Sequence, residues 1–130
     1  MSIHTIMTAD ESGEELVKFA RDKAQILVRN NLTRSQIRNI FTEVRQIEAM
    51  WEKADEQQNT NAMRRLNMLK PKLAYQTART AQVAELQAIL SEAVDEVSKA
   101  PAEKRDEVFQ RFMDLFEAIL AYHRAEGGRS

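Results

Sequence analysis

Residues 32–51, LTRSQIRNIFTEVRQIEAMW, set the fold class. Thr33 and Gln36 have the spacing of a capping box, in which each side chain satisfies an unpaired amide at a helix start. Beyond that pair, Ile37, Ile40, Val44, Ile47 and Trp51 recur every three or four residues, the repeat that gathers apolar groups on one side of an α-helix. The pattern predicts a helix running to about Ala54, buried along that side.

The same periodicity extends in both directions. A helix is expected from about Gly13 to Val28, with Leu16, Phe19, Ala20, Lys23, Ile26 and Leu27 in register and Asn30 and Asn31 ending it. Residues 1–12 are polar and irregular and are expected to form a flexible tail. DEQQNTN at 55–61 lacks any apolar residue and reads as a loop. A third helix spans about Ala62 to Thr80, with Leu66, Leu69 and Leu73 on one side. Pro71 in its middle implies either a kink or the start of a new helix, and the sequence does not choose. A fourth helix, about Gln82 to Ser98, carries Val83, Leu86, Leu90, Val94 and Val97 near a heptad pattern. The last, about Pro101 to Ala125, opens on acids and closes on His123 and Arg124 before Gly127 and Gly128, an arrangement that suits the helix dipole. His123 reads as a helix-terminal cation.

With three Gly, two Pro and 6% aromatic residues among 130, the chain has little material for tight turns or β-sheet. The expectation is an all-α, antiparallel helical bundle of about five helices, a single domain over 13–128. The chain has no Cys, which excludes disulfides, thiolate metal sites and cysteine nucleophiles. No apolar stretch approaches the ~20 residues of a membrane helix, and a cytoplasmic chain without membrane contact is expected. The two histidines, His4 and His123, have no partner at metal-ligand spacing, and no Gly-rich phosphate loop, serine elbow or HExxH occurs. No catalytic residue, metal or cofactor is assigned.

Charge is the one lopsided feature. The 19 basic and 20 acidic residues nearly cancel, yet RRLNMLKPKLAYQTAR at 64–79 has five cations and no acid. At 100° per residue, Arg65, Lys72 and Arg79 share a face with Met68 and Tyr75, and Lys70 flanks it. Successive cations a heptad apart are separated by ~10.5 Å, a spacing that reaches distinct phosphates of a strand lying along the helix. Tyr75 adds a ring for stacking. On the second helix Arg34, Arg38 and Arg45 fall within ~40° of one another, in line with Phe41. If the two helices are neighbours, the arginine edge of one would meet the cationic face of the other and form a groove. Residues 85–107 hold seven acids against three bases, which predicts a polarised surface able to associate head to tail. The plain alternative is a solvated helix face. Yet like charges three and four apart repel, so something outside the helix must offset them.

Three segments, LTRSQIRNIFTEVRQIE at 32–48, LKPKLAYQTAR at 69–79 and FEAILAYHRAEGG at 116–128, resemble the small subunit of type III-A CRISPR, or Csm, effector complexes. The resemblance implies a non-catalytic helical bundle, present in several copies, that lines the channel for guide RNA and target RNA. Its partners would be copies of itself, the Csm backbone subunits and the large polymerase-like subunit. By motif position Arg38, Lys72 and Arg79 are the first candidates for RNA contact, and Arg124 is added from the third segment. Wheel geometry adds Arg34, Arg45, Arg65, Lys70 and Tyr75. The alternative function is a helical adaptor or homodimer that binds no nucleic acid.

Overall fold

A computed structural model describes residues 2–52 and 56–128. Among the described residues lie six α-helices and no strand: α1 (Ile3–Thr8), α2 (Glu14–Arg29), α3 (Arg34–Glu52), α4 (Glu56–Arg79), α5 (Ala84–Lys99) and α6 (Arg105–Ala125). Single 3-10 turns, Ala81–Val83 and Ala102–Lys104, lead into α5 and α6. The chain is an all-α helical bundle.

The capping box forms as expected. Thr33 N–H donates to Gln36 Oε1 at 2.8 Å, and Gln36 N–H donates to Thr33 Oγ1 at 3.1 Å. From there Ile37, Ile40, Val44, Ile47 and Trp51 of α3 are buried. The helix lies between α4 and α6 and antiparallel to both. Along α4, Met50 is beside Arg65 and Asn39 beside Gln76. Along α6, the Trp51 ring stacks on Phe109 with centroids 4.0 Å apart, and Phe41 meets Phe116 edge-on at 5.1 Å. Trp51 Nε1 donates to Asp106 Oδ1 at 2.9 Å, so the indole buries its rings without orphaning its polar edge. α5 packs on α4 and α6, closing the core with Leu86, Leu90, Val94 and Val97 against Leu66, Leu73, Phe112 and Phe116.

Three expectations change. The tail is not loose, because Ser2 caps α1 and Ile3, Ile6 and Met7 are buried against α5 and α6. His4 Nδ1 bonds Glu96 Oε1, tying α1 to α5. A six-residue helix has too few hydrogen bonds to persist alone, so this segment is helical only because the bundle offers a surface. The Asp10 carboxylate then accepts the Glu15 and Leu16 amides at 3.2 and 2.8 Å and caps α2. The loop expected at 55–61 is also overturned over 56–61: α4 already runs from Glu56. Elongating an existing helix adds a hydrogen bond for each residue fixed, and Glu and Gln are good helix formers, so an apolar residue is not needed there. The expected end of α3 near Ala54 and the loop start at Asp55 lie outside the described residues.

At Pro71, where the sequence left a choice, α4 passes through without ending. An interior proline costs ~3 kcal/mol, which the burial of Leu66, Leu69 and Leu73 on either side of it offsets. Finally, His123 is not a surface cation. It is fully buried, and its Nε2 donates to the Leu32 carbonyl at 2.7 Å, pinning the end of α6 to the α2–α3 connection. The chain leaves α6 by a Schellman turn: Gly128 N–H bonds the His123 carbonyl at 2.8 Å, Gly127 N–H bonds that of Arg124 at 3.2 Å, and Gly127 takes the left-handed φ of 91°. Gly128 lies directly on the His123 ring, where a Cβ would overlap the imidazole.

Two stability measurements check these placements. Ile6→Ala should lower the unfolding free energy by ~2–5 kcal/mol in urea denaturation, as for a core isoleucine; a loose tail would give no change. Gly128→Ala should cost ~1–3 kcal/mol by overpacking against His123, and pairing it with His123→Ala should give less than the sum of the two single effects.

Candidate nucleic-acid interface

The cations of α4 meet carboxylates from its neighbours. Glu43 of α3 accepts from Arg65 Nε and Nη2 at 3.2 and 3.0 Å and from Lys72 Nζ at 2.9 Å. Arg65 also donates to Gln46 Oε1 and reaches Met50 Sδ. Lys70 Nζ donates to Asp95 Oδ1 of α5 at 2.6 Å. These contacts supply the offset that an acid-free cationic helix requires. Hydrogen bonding from Arg65, ahead of the opposing effect of burial and helped by Lys72, holds the Glu43 carboxyl below its ordinary value of 4.5. One carboxylate shared by two cations leaves the trio with a net positive charge.

Between α3 and α4 lies an open groove of about 610 Å³, lined by Gln36 and Asn39 on one wall and by Met68, Pro71, Lys72, Tyr75 and Arg79 on the other. Among the described residues, Lys72 and Arg79 are its only charged lining groups. Tyr75 is 63% exposed and Met68 50% exposed, large apolar surfaces on an outward face. The Arg79 guanidinium sits 5.7 Å from the Tyr75 ring centroid, a cation–π contact that holds both groups at the groove wall.

The arginines of α3 do not join this groove. Arg34 and Arg38 line a separate cavity against α6, together with Ile37, Glu117, Leu120, Ala121, His123 and Arg124. Arg45 lies over Phe41, 5.3 Å from its centroid, and bonds Glu48 at 2.8 Å. The expected meeting of the arginine edge with the cationic face of α4 is therefore corrected. On the α3 wheel the apolar arc separates Arg34, Arg38 and Arg45 from Gln36, Asn39 and Glu43, and α4 took the second flank. Of the nine residues singled out from sequence, Lys72, Tyr75 and Arg79 share one groove, and Arg34, Arg38 and Arg124 share another cavity. Arg65 and Lys70 are held in ion pairs, and Arg45 is paired along its own helix.

The polarised surface is also reduced. Among the seven acids of 85–107, Glu85 pairs with Lys23, Asp95 with Lys70, Glu96 with His4 and Glu107 with Arg111, while Asp106 accepts from Trp51. Sequence reasoning missed Glu43. It lies on the opposite flank of α3 from the arginines, and its role appears only once α4 is known to pack there.

Among the described residues no group of His, Asp or Glu is arranged to hold a metal ion, and no helix is long and apolar enough to cross a membrane. Comparison with curated proteins, and with solved structures, found no match. A family model described as Csm2 Type III-A, however, matches residues 10–129. That match spans the capped α3, the cationic α4 and the glycine turn after α6 alike, so the chain belongs to the Csm2 type III-A family and is a small subunit of a type III-A Csm complex.

Proposed function

We propose that this subunit is a non-catalytic, cytoplasmic component of RNA-guided antiviral defence that holds the sugar–phosphate backbone of guide or target RNA in the α3–α4 groove. The observation that carries the reading is the acid-free groove wall of Lys72, Tyr75 and Arg79. Lys72 and Arg79 are a heptad apart and contact well-separated phosphates of one strand, and Tyr75 stacks on a base without reading its identity. Sequence is read by pairing between the two RNAs, so the protein needs only backbone contacts. Copies of the subunit stack beside the Csm backbone subunits and the large polymerase-like subunit. A net charge of −1 leaves one copy a weak binder, and several copies in a row supply the affinity.

A second reading, a helical adaptor or homodimer that leaves nucleic acid alone, is favoured by the ion pairs of Arg65 and Lys70, which commit those cations inside the bundle. The groove separates the two. Lys72 is 52% exposed and shares its carboxylate with Arg65, so a phosphate has only to compete with half of a Glu43 interaction.

In the assembled complex, Lys72→Ala combined with Arg79→Ala should weaken RNA binding and reduce the salt slope by ~1.4 for each copy engaged, about 0.7 for each single-strand phosphate that is no longer neutralised. Filter binding across a salt series reads this, and an unchanged slope would favour the adaptor. Glu43→Gln should act oppositely, tightening RNA binding by releasing Lys72, and it should destabilise the fold near neutral pH. Because the folded Glu43 carboxyl titrates below 4.5, its stabilisation is fully present above that value and is lost as pH falls through the lowered folded value. The stability gap between wild type and Glu43→Gln should therefore narrow in acid, as followed by urea denaturation at stepped pH.

A further inference from the structure

The second cavity, on the other flank of α3, has a different character from the groove. Its volume is about 290 Å³, at the low end of the ~300–1,000 Å³ of small-ligand pockets, which suits a compact group more than a continuous strand. Arg34, Arg38 and Arg124 line it, opposed by the single carboxylate of Glu117. The start of α3 and the end of α6 meet here, so their backbone dipoles are opposed and the guanidinium groups set the sign of the field.

One buried donor at this place lacks a partner: Arg34 Nε is out of solvent with no acceptor. Arg105 and Arg111 also each have an unbonded buried nitrogen, but both have another polar contact, to Ala100 and Glu107 respectively. The side chains of Arg34, Arg38 and Arg124 have no ion pair or hydrogen bond among the described residues, a contrast with the paired cations of α4. A buried guanidinium N–H is costly without an acceptor, and a planar fork of donors matches a tetrahedral oxyanion.

We propose that the α3–α6 cavity is a phosphate-binding site in which Arg34, Arg38 and Arg124 together hold one phosphate group. The site stands apart from the α3–α4 groove, so it does not depend on that groove binding RNA. Glu117 lowers the affinity for a fully ionised anion, and its removal strengthens binding.

The test is a ¹H–¹⁵N NMR titration of the full chain with sodium phosphate, against sodium chloride at matched ionic strength. Saturable shifts should cluster at residues 34–38 and 117–124. Arg38→Ala with Arg124→Ala, two exposed positions whose truncation leaves the core intact, should weaken binding by ~10-fold or more. Arg34→Lys should weaken it as well despite the retained charge, because the Nε–H is gone. Glu117→Gln should strengthen it, and Arg79→Ala should leave it unchanged. Parallel titrations with AMP and with a short RNA bearing either a 5′-phosphate or a 5′-hydroxyl identify the source. Preference for the 5′-phosphate marks a strand end, equal binding of both oligonucleotides marks an internal phosphodiester, and binding of AMP alone marks a free nucleotide. Shifts no different from those in chloride, or phosphate binding that survives the double variant, would overturn the site.

Discussion

α3 must face two helices at once, and most of the molecule follows from how its circumference is divided. The apolar arc from Ile37 to Trp51 goes into the core, and what remains is two polar edges on either side of it. One edge, Gln36, Asn39 and Glu43, borders α4; the other, Arg34 and Arg38, borders α6. A shift of one residue in the helix phase would rotate the side chains by about 100° and present arginines to the cations of α4. The capping box fixes where α3 starts, and the Trp51 stack on Phe109 fixes where it docks.

Glu43 makes that division electrostatically workable. α4 has Arg64, Arg65, Lys70, Lys72 and Arg79 with no acid after Glu56, so its self-repulsion has to be relieved from outside. Glu43 relieves it from α3 and Asp95 from α5, each between helices that already touch. Two cations on Glu43 remain undercompensated, and Arg79 has only the Tyr75 ring among the described residues. The same arrangement thus stabilises the packing of α4 and leaves positive charge at the groove.

What was legible in the sequence was what short-range rules govern. The Thr33–Gln36 box, the apolar arcs and the glycine turn after α6 are each written within a few residues. α1 was not, because six residues cannot declare a helix without the surface they dock on. His123 was legible in principle: it continues the buried series Phe112, Phe116, Ile119 at helical spacing, a stronger signal than its nearness to the helix end. Pairings such as Arg65 with Glu43 were not, since they depend on which helix becomes the neighbour. The family resemblance supplied the identity, but no motif could say on which side of α3 each cation would fall.

The position of α3 limits how the proposed function can be carried out. A ladder of all nine sequence candidates would need Arg38 and Lys72 on one surface, whereas α3 itself stands between them. A single extended strand cannot follow both flanks without wrapping the helix. Under the proposed function each flank would therefore engage its own phosphates, and the free energy from one subunit would be limited to what two or three cations provide. With a net charge of −1 there is no general field to add to this. Strong retention of a long polyanion then follows from repetition along an assembly, where neighbouring grooves act at high effective concentration, and not from the chemistry of any one copy.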